Sequence, residues 1–299
     1  MKRRDFLMRT LGVAAVGSPI LGRLSLSAAE SIPDLIVVEG ESPASLVQKA
    51  VAGLGGMSKF IAKGDRVVVK PNISWDRVPE QAATTNPEIV AEVVKLCLEA
   101  GARNVKIFDN TLNEARRCYK RSGIEQAARD AGADVEFVYE RKFKMTRFPE
   151  GELIQSWEIY SEVLDADKII NLPIAKHHSI SGMSMGMKNF MGFLGGNRGK
   201  FHRDFEIKIN DLNARIRADL TILDAYRVMF RNGPSGGNLA DVALRKTVIA
   251  GTDPVAVDSY GAALLDLIPE RVRFLSIARE RGLGELDLKK LNIRKLTLS

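Results

Sequence analysis

The three histidines of this 299-residue chain, His177, His178 and His202, all fall inside one glycine- and methionine-rich stretch, ADKIINLPIAKHHSISGMSMGMKNFMGFLGGNRGKFH. Imidazole is the side chain best suited to moving a proton or ligating a transition metal near neutral pH, and glycine lets backbone approach a bound group closely. Lys188 and Asn189 lie between Gly186 and Gly192. A lysine on such a turn can reach a phosphate, or form a covalent adduct when burial lowers its pKa. Further along, Gly195-Gly196-Asn197-Arg198-Gly199 can bend to present backbone N–H groups and a guanidinium to an anion, although it matches no P-loop pattern.

His202 lies 24 positions beyond His178, too far for a single helical metal motif, so a shared metal requires the fold to bring them together. Two histidines with a carboxylate such as Asp109 or Asp224 would suit divalent nickel, iron or zinc. The candidate roles are therefore proton transfer or covalent chemistry for His177, His178 and Lys188, and metal ligation for His202, Asp109 and Asp224. Lys70, Asn72, Lys176, Asn189 and Arg198 are the candidates for holding a cofactor or an anion.

These residues need a scaffold, and the hydrophobic pattern supplies one. Strand-like runs fall at 35–38, 66–72, 104–110, 135–140, 168–174, 220–225 and 247–251, and helical periodicity at 43–54, 87–100, 122–131, 204–217, 254–266 and 269–281. Near-continuous apolar strands alternating with helices predict an α/β fold with a mainly parallel, doubly wound sheet and helices on both faces. Two lobes meeting near 141–165, where regularity falls off, are the alternative. Asn86-Pro87 and Asp253-Pro254 each set a capping residue before proline at a helix start, and Gly101 marks a helix stop.

In open parallel sheets ligands sit beyond the carboxyl ends of the strands. Reading those ends in order gives Lys70 and Asn72; Asp109, Asn110 and Thr111; Asn171, Lys176, His177 and His178; Asp224 and Arg227; and Asp253. Each alone has a local explanation as a loop cap, and His177 and His178 can equally cap the sheet edge in a solvated loop. Together they make the convergent polar set that a small-molecule site requires. Met183, Met185, Met187 and Met191 read as flexible core filler, with soft metal ligation as the alternative. Trp75 and Trp157 read as covers for the cleft or the core. Cys97 reads as a buried small hydrophobe, while Cys118, beside Arg116 and Arg117, is the better thiolate candidate. A 97–118 disulfide is open in an oxidising compartment.

The first 29 residues are a separate matter. Lys2, Arg3 and Arg4 precede Asp5-Phe6-Leu7, the apolar run LGVAAVGSPILG, and Ser27-Ala28-Ala29, which suits a signal-peptidase site after Ala29. The RRDFL string resembles the twin-arginine export signal, which implies hand-over to the twin-arginine machinery and delivery of a folded chain to the periplasm. The apolar run is shorter than the roughly 20 residues a bilayer span needs, so no stable membrane anchor is expected. This segment holds five of the 44 basic residues and one of the 37 acidic ones, leaving 39 against 36, a net charge of +3. The basic balance of the whole chain is thus largely an export feature, and nothing in it calls for nucleic acid.

The strings VVVKPNISW, TNPEIVAEVVKLCLEAGA, FDNTLNEARRCYKRSGI, INLPIAKHHSISGMSMGMKNFMG, NGPSGG and VIAGTDPVAVDSYGA resemble the DUF362 family, over nearly the whole chain beyond residue 29. The histidine stretch is also similar, more locally, to the nickel-pincer lactate racemase family. That likeness implies His177 or His178 in proton transfer, Lys188 as the covalent anchor of the pincer nucleotide and His202 as a nickel ligand. No histidine precedes position 177, so that family's second catalytic histidine has no counterpart. The residues together support a metal- or cofactor-dependent enzyme acting on a small anionic substrate. A non-catalytic periplasmic binding protein for an anionic or phosphorylated solute is the second reading.

Overall fold

In the computed structural model residues 32–298 are described, and the export segment predicted over 1–29 lies outside the described residues. The strands are β1 (Leu35–Glu39), β2 (Arg66–Pro71), β3 (Asn104–Ile107), β4 (Asp134–Val135), β5 (Phe143–Arg147), β6 (Ser156–Tyr160), β7 (Lys168–Leu172), β8 (Ile174–His178), β9 (Gly182–Ser184), β10 (Leu220–Met229), β11 (Val242–Gly251) and β12 (Ile293–Thr297). The helices are α1 (Pro43–Gly53), α2 (Pro87–Glu99), α3 (Ala115–Arg121), α4 (Ile124–Asp130), α5 (Ser161–Leu164), α6 (Gly186–Asn189), α7 (Arg198–Phe201), α8 (Phe205–Arg215), α9 (Pro254–Ala263) and α10 (Arg273–Glu280). No described helix is long and apolar enough to cross a membrane.

One large sheet runs in the order β12-β1-β11-β10-β7-β2-β3-β4, with β8 beside β10 and β9 beside β8. The pairs β10·β7, β7·β2, β2·β3 and β3·β4 are all parallel. Alternate strand residues feed two separate cores. Leu35, Val37, Val68, Ile169, Leu223 and Ile249 pack with the side bearing α6 and α8–α10, whereas Ile36, Val38, Val67, Val69, Ile170 and Val248 pack with α1–α4. Both faces are covered, as the apolar strands predict. The four methionines of the histidine stretch are buried in the first of these cores.

The 141–165 stretch is no lobe boundary, because the described residues form one compact unit. It makes the antiparallel ribbon β5–β6, whose Ile159 and Tyr160 join the main core, with the Tyr160 ring 4.8 Å from that of Phe108. Trp157 stands edge-on to Phe201 and donates to the carbonyl of Gly195, so it covers the core. The two thiols are free and buried. Burial, with Asp76 and Asp109 adding to it, pushes the Cys118 thiol up to about 11, against the thiolate reading. The neighbouring Arg117 is already paired with Asp76 at 2.6 Å.

Two local departures from the sequence reading matter for the site. β11 runs antiparallel to both of its neighbours, so its end lies at the edge opposite the carboxyl ends of the parallel strands. Asp253 is therefore remote from the polar cluster; its carboxylate caps α9 through the amides of Val255 and Ala256 and also accepts from the Glu285 amide. Secondly, the chain does not leave the sheet after β7. Proline at 173 interrupts the ladder for one residue, and the extended backbone continues as β8 beside β10, placing Lys176, His177 and His178 within a strand.

Because Asp253 serves three backbone amides, Asp253→Ala is expected to lower the unfolding free energy by about 1–2 kcal/mol, the usual cost of a lost N-cap. Denaturant unfolding checks this, and an unchanged midpoint would contradict the assigned capping role.

Candidate functional site

From β7 the strand order runs outward through β2, β3 and β4 on one side and through β10 on the other. The crevice beside β2 and β7 is thus a switch point of the sheet, where ligand sites of such folds form. A cleft opens there, lined by Asn72, Ser74 and Trp75 after β2, Leu112 after β3, Lys176 and His178 of β8, Ser184, and the segment carrying Lys188, Asn189, Met191, Gly192, Arg198 and His202, with Pro234 closing one side. Its cavity volume is about 70 Å³. That exceeds what one water needs, so it suits a small ligand.

Period-two alternation in β8 selects which of its residues face the cleft. Lys176 and His178 line it; His177 does not, and its Nδ1 instead accepts from the Gly233 amide at 3.1 Å, pinning the NGPSGG loop. Arg77 ties the other end of that loop through the carbonyls of Ser235 and Gly236.

The floor is an amide network. Asn189 donates from Nδ2 to the Lys70 carbonyl at 2.8 Å and to Asn171 Oδ1 at 2.9 Å, while its Oδ1 accepts from Asn72 Nδ2 at 3.3 Å. Asn72 Oδ1 accepts from Lys176 Nζ at 3.2 Å, and Lys176 also donates to the Ala83 carbonyl. Two of the three Lys176 N–H groups are thereby used. Arg198 spends two of its five on the carbonyls of Asn110 and Thr111.

Beneath the floor, Lys70 and Asp109 form a fully buried ion pair at 2.9 Å. Lys70 also donates to the Pro71 carbonyl at 2.6 Å, and Asp109 Oδ2 accepts from the Ile73 amide at 2.7 Å and from Ser74 Oγ at 3.2 Å. These two residues organise the loop after β2 and do not line the cleft. Gly192 explains part of the glycine content: a Cβ there would sit 1.9 Å from Asp109 Oδ1 and 2.7 Å from Lys70 Nζ. The close approach that glycine permits is to this ion pair, not to a ligand.

The reactive-looking groups are Lys188 and His202. Lys188 Nζ lies 3.2 Å from Met191 Sδ, 3.5 Å from His202 Nε2 and 4.8 Å from the centre of the Phe205 ring. His202 Nδ1 lies 3.2 Å from the Arg198 carbonyl, which can only accept, so Nδ1 carries the proton and Nε2 accepts from Lys188. His178 has the opposite tautomer: its Nδ1 accepts from the amides of Ile180 and Ser181, leaving the proton on Nε2. The two rings lie nearly parallel, 6.2 Å apart.

Among the described residues no acidic side chain lines the cleft. Burial, reinforced by the charges of Lys188 and Lys70 and opposed by Asp109, brings Lys176 down to about 7. Burial and the Arg198 guanidinium bring Lys188 down to about 7. Burial, then the charges of Lys188 and Lys176, holds His178 neutral, with its pKa near 3. His202 is lowered by burial and by Lys188.

The expected metal set does not assemble. Asp224 lies fully buried in β10, its two oxygens taken by the amides of Asn86 and Tyr226 at 2.7 and 2.9 Å, and Asp109 is held by Lys70. Among the described residues no three of His, Cys, Asp and Glu converge on a point a metal ion could take. Sequence reading missed Ser74, Ser184 and Pro234 in the cleft wall, which carry no local signal. It also missed Asp258, whose carboxylate accepts from the amides of Gly186 and Met187 at 2.6 and 3.0 Å and so orients α6, the helix that carries Lys188. Those partners lie about seventy residues apart and only the fold joins them.

The family model described as "Domain of unknown function (DUF362)" matches residues 67–263. The chain belongs to the DUF362 family. Every lining residue of the cleft lies within that matched span. The chain is 30% identical over 240 residues to a thylakoid-associated protein of Synechocystis, covering 77% of this chain and 72% of the relative. Among solved structures it is similar to the lactate racemase apoprotein from Thermoanaerobacterium thermosaccharolyticum, with a TM-score of 0.47, 14% identity and coverage of 77% of this chain and 56% of that one. A protein from Thermotoga maritima gives 0.48, 11%, 76% and 60%. The chain thus spans less than two thirds of either structure.

The nickel-pincer arrangement suggested by the sequence requires a nucleotide bonded to Lys188 and a metal on His202. The two side chains do sit together, with Lys188 Nζ 3.5 Å from His202 Nε2, and they are the residues that would anchor the nucleotide and take the metal.

Gly192→Ala is expected to cost about 1–3 kcal/mol of stability by forcing the buried pair apart. Lys70→Met, which strands the Asp109 charge, should cost more, about 3–5 kcal/mol, and Lys70→Met with Asp109→Leu should recover part of it. Urea unfolding of the three variants checks the order; equal losses in the single and double substitutions would contradict it.

Proposed function

We propose that this DUF362 protein is an enzyme that takes a small anion, of carboxylate class and a few heavy atoms, into the cleft at the strand ends. One observation carries this reading: Lys176, Lys188 and Arg198 converge on a single cavity that no acidic side chain lines among the described residues. An anion is the partner that relieves their mutual repulsion and burial together. Lys176 and Arg198 keep donors unused by the protein and serve to bind it. Lys188, close to neutral at physiological pH and hydrogen-bonded to His202 Nε2, is the group suited to take up a proton or attack as a nucleophile. Capture without chemistry is the second reading, supported by the same cations. The RRDFL segment and the Ser27-Ala28-Ala29 site support export of the folded chain to the periplasm by the twin-arginine machinery.

Acetate, pyruvate and phosphate at millimolar concentration are expected to raise the unfolding temperature, and Lys176→Met or Arg198→Ala to remove the shift. The affinity should be greatest below pH 7. It should fall by up to about tenfold per pH unit above that point, as Lys176, whose folded pKa is lowered to about 7, loses its charge. A flat response to all three anions would sink the reading. Export is checked by fractionation: Arg3→Lys with Arg4→Lys should hold the chain in the cytoplasm, and unchanged periplasmic yield would refute the signal.

A further inference from the structure

Lys188 differs from the other lysines of the site in what surrounds its amine. Lys70 has a carboxylate at 2.9 Å, and Lys176 is held by an amide and a carbonyl oxygen. Lys188 meets a thioether sulfur, an imidazole nitrogen and the face of a phenyl ring, and no ion pair joins it to a carboxylate among the described residues. Burial without a carboxylate partner, beside the Arg198 guanidinium, favours the uncharged amine against the cation–π pull of the Phe205 face, and an uncharged lysine amine is a nucleophile. It stands in the same small cavity as the guanidinium of Arg198 and the ammonium of Lys176, which call for a carboxylate. A molecule that uses both features carries an electrophilic carbon directly beside a carboxylate, within about half a dozen heavy atoms.

We propose that Lys188 condenses through its amine with the carbonyl carbon of a small 2-oxo acid, whose carboxylate is held by Arg198 and Lys176. This rests on the anion-site reading above and adds a covalent step to it. The Lys188 nitrogen forms a bond to the carbonyl carbon as the carbon–oxygen π bond opens, giving a carbinolamine. The nitrogen then expels that oxygen to form the imine. Both amine protons leave nitrogen and end on the departing oxygen, which is released as water, so no oxidant, reductant or second reactant is needed. The two histidines suit this transfer in their assigned tautomers. His202 Nε2 has a lone pair facing the amine and accepts a proton from it, while the neutral His178, with its proton on Nε2, is a donor in the cleft wall for the leaving oxygen. Asp258 holds the α6 amides of Gly186 and Met187 and acts as a positioning residue for Lys188.

The test is reductive trapping on the folded chain: incubation with pyruvate and borohydride, then intact mass and peptide mapping, with acetate as the non-electrophilic control. The expected result is one reduced pyruvyl adduct per chain on the peptide bearing Lys188. It should be absent with acetate and with Lys188→Arg and reduced at least tenfold in Arg198→Ala. Mapping the adduct in the wild-type chain keeps the test independent of whether any variant folds. Thermal stabilisation by pyruvate without an adduct overturns the imine and leaves the anion site standing. Neither stabilisation nor adduct overturns both. An adduct spread over exposed lysines, with Lys188 unmodified, also overturns the imine.

Discussion

The arrangement of this protein's site depends on an imbalance of buried charge. Three buried lysines, Lys70, Lys176 and Lys188, and the half-buried Arg198 stand around one cleft, and among the described residues Asp109 is the one carboxylate that forms an ion pair with any of them. Unpaired charge is too costly to leave in such a place, so it is either neutralised or matched by something that enters from outside. Asp109 is fully used by Lys70 and by the loop after β2. What remains is a small cavity whose two lysines are pushed toward neutrality and whose guanidinium keeps unused donors. The anion proposed above would complete it.

The fold supplies this imbalance by simple means. The strand order changes direction beside β7, which opens a crevice at the carboxyl ends of the strands, and the extension of β7 into β8 brings Lys176 and His178 to its wall. Residues 186–202 then fold across the opening in short helices that bring Lys188, Asn189, Arg198 and His202 to one place. Glycine at 186 and 192 is required by the neighbours, since a side chain at either would meet the Asp258 carboxylate or the Lys70–Asp109 pair.

Much of this is legible in the amino-acid sequence, for physical reasons that also mark where legibility stops. Apolar runs and capping signals are local, so β1, β2, β7, α2 and α9 follow from the pattern, and seven of the residues picked as site candidates do line the cleft: Asn72, Lys176, His178, Lys188, Asn189, Arg198 and His202. What fails is what depends on partners distant in the chain. The direction of β11 sets Asp253 at the wrong edge, and nothing in the TVIAG run reports direction. Asp109 and Asp224 look like free carboxylates in sequence, yet one is taken by Lys70 and the other by two backbone amides. His177 and His178 are adjacent and chemically identical, and only the pleat of β8 separates the loop pin from the cleft residue. Asp109 and Asp224 are lost as metal ligands for the same reason: the fold has already committed both carboxylates.

The central claim, that the cleft holds cations without their counter-charges, is tested most directly by following the side-chain resonances of isotope-labelled lysines through a pH titration of the ligand-free protein. The account predicts two lysines that titrate near pH 7, one lost in Lys176→Met and the other in Lys188→Met. If every lysine titrates near its ordinary value of about 10.4, the cleft is not the under-neutralised cation site described here.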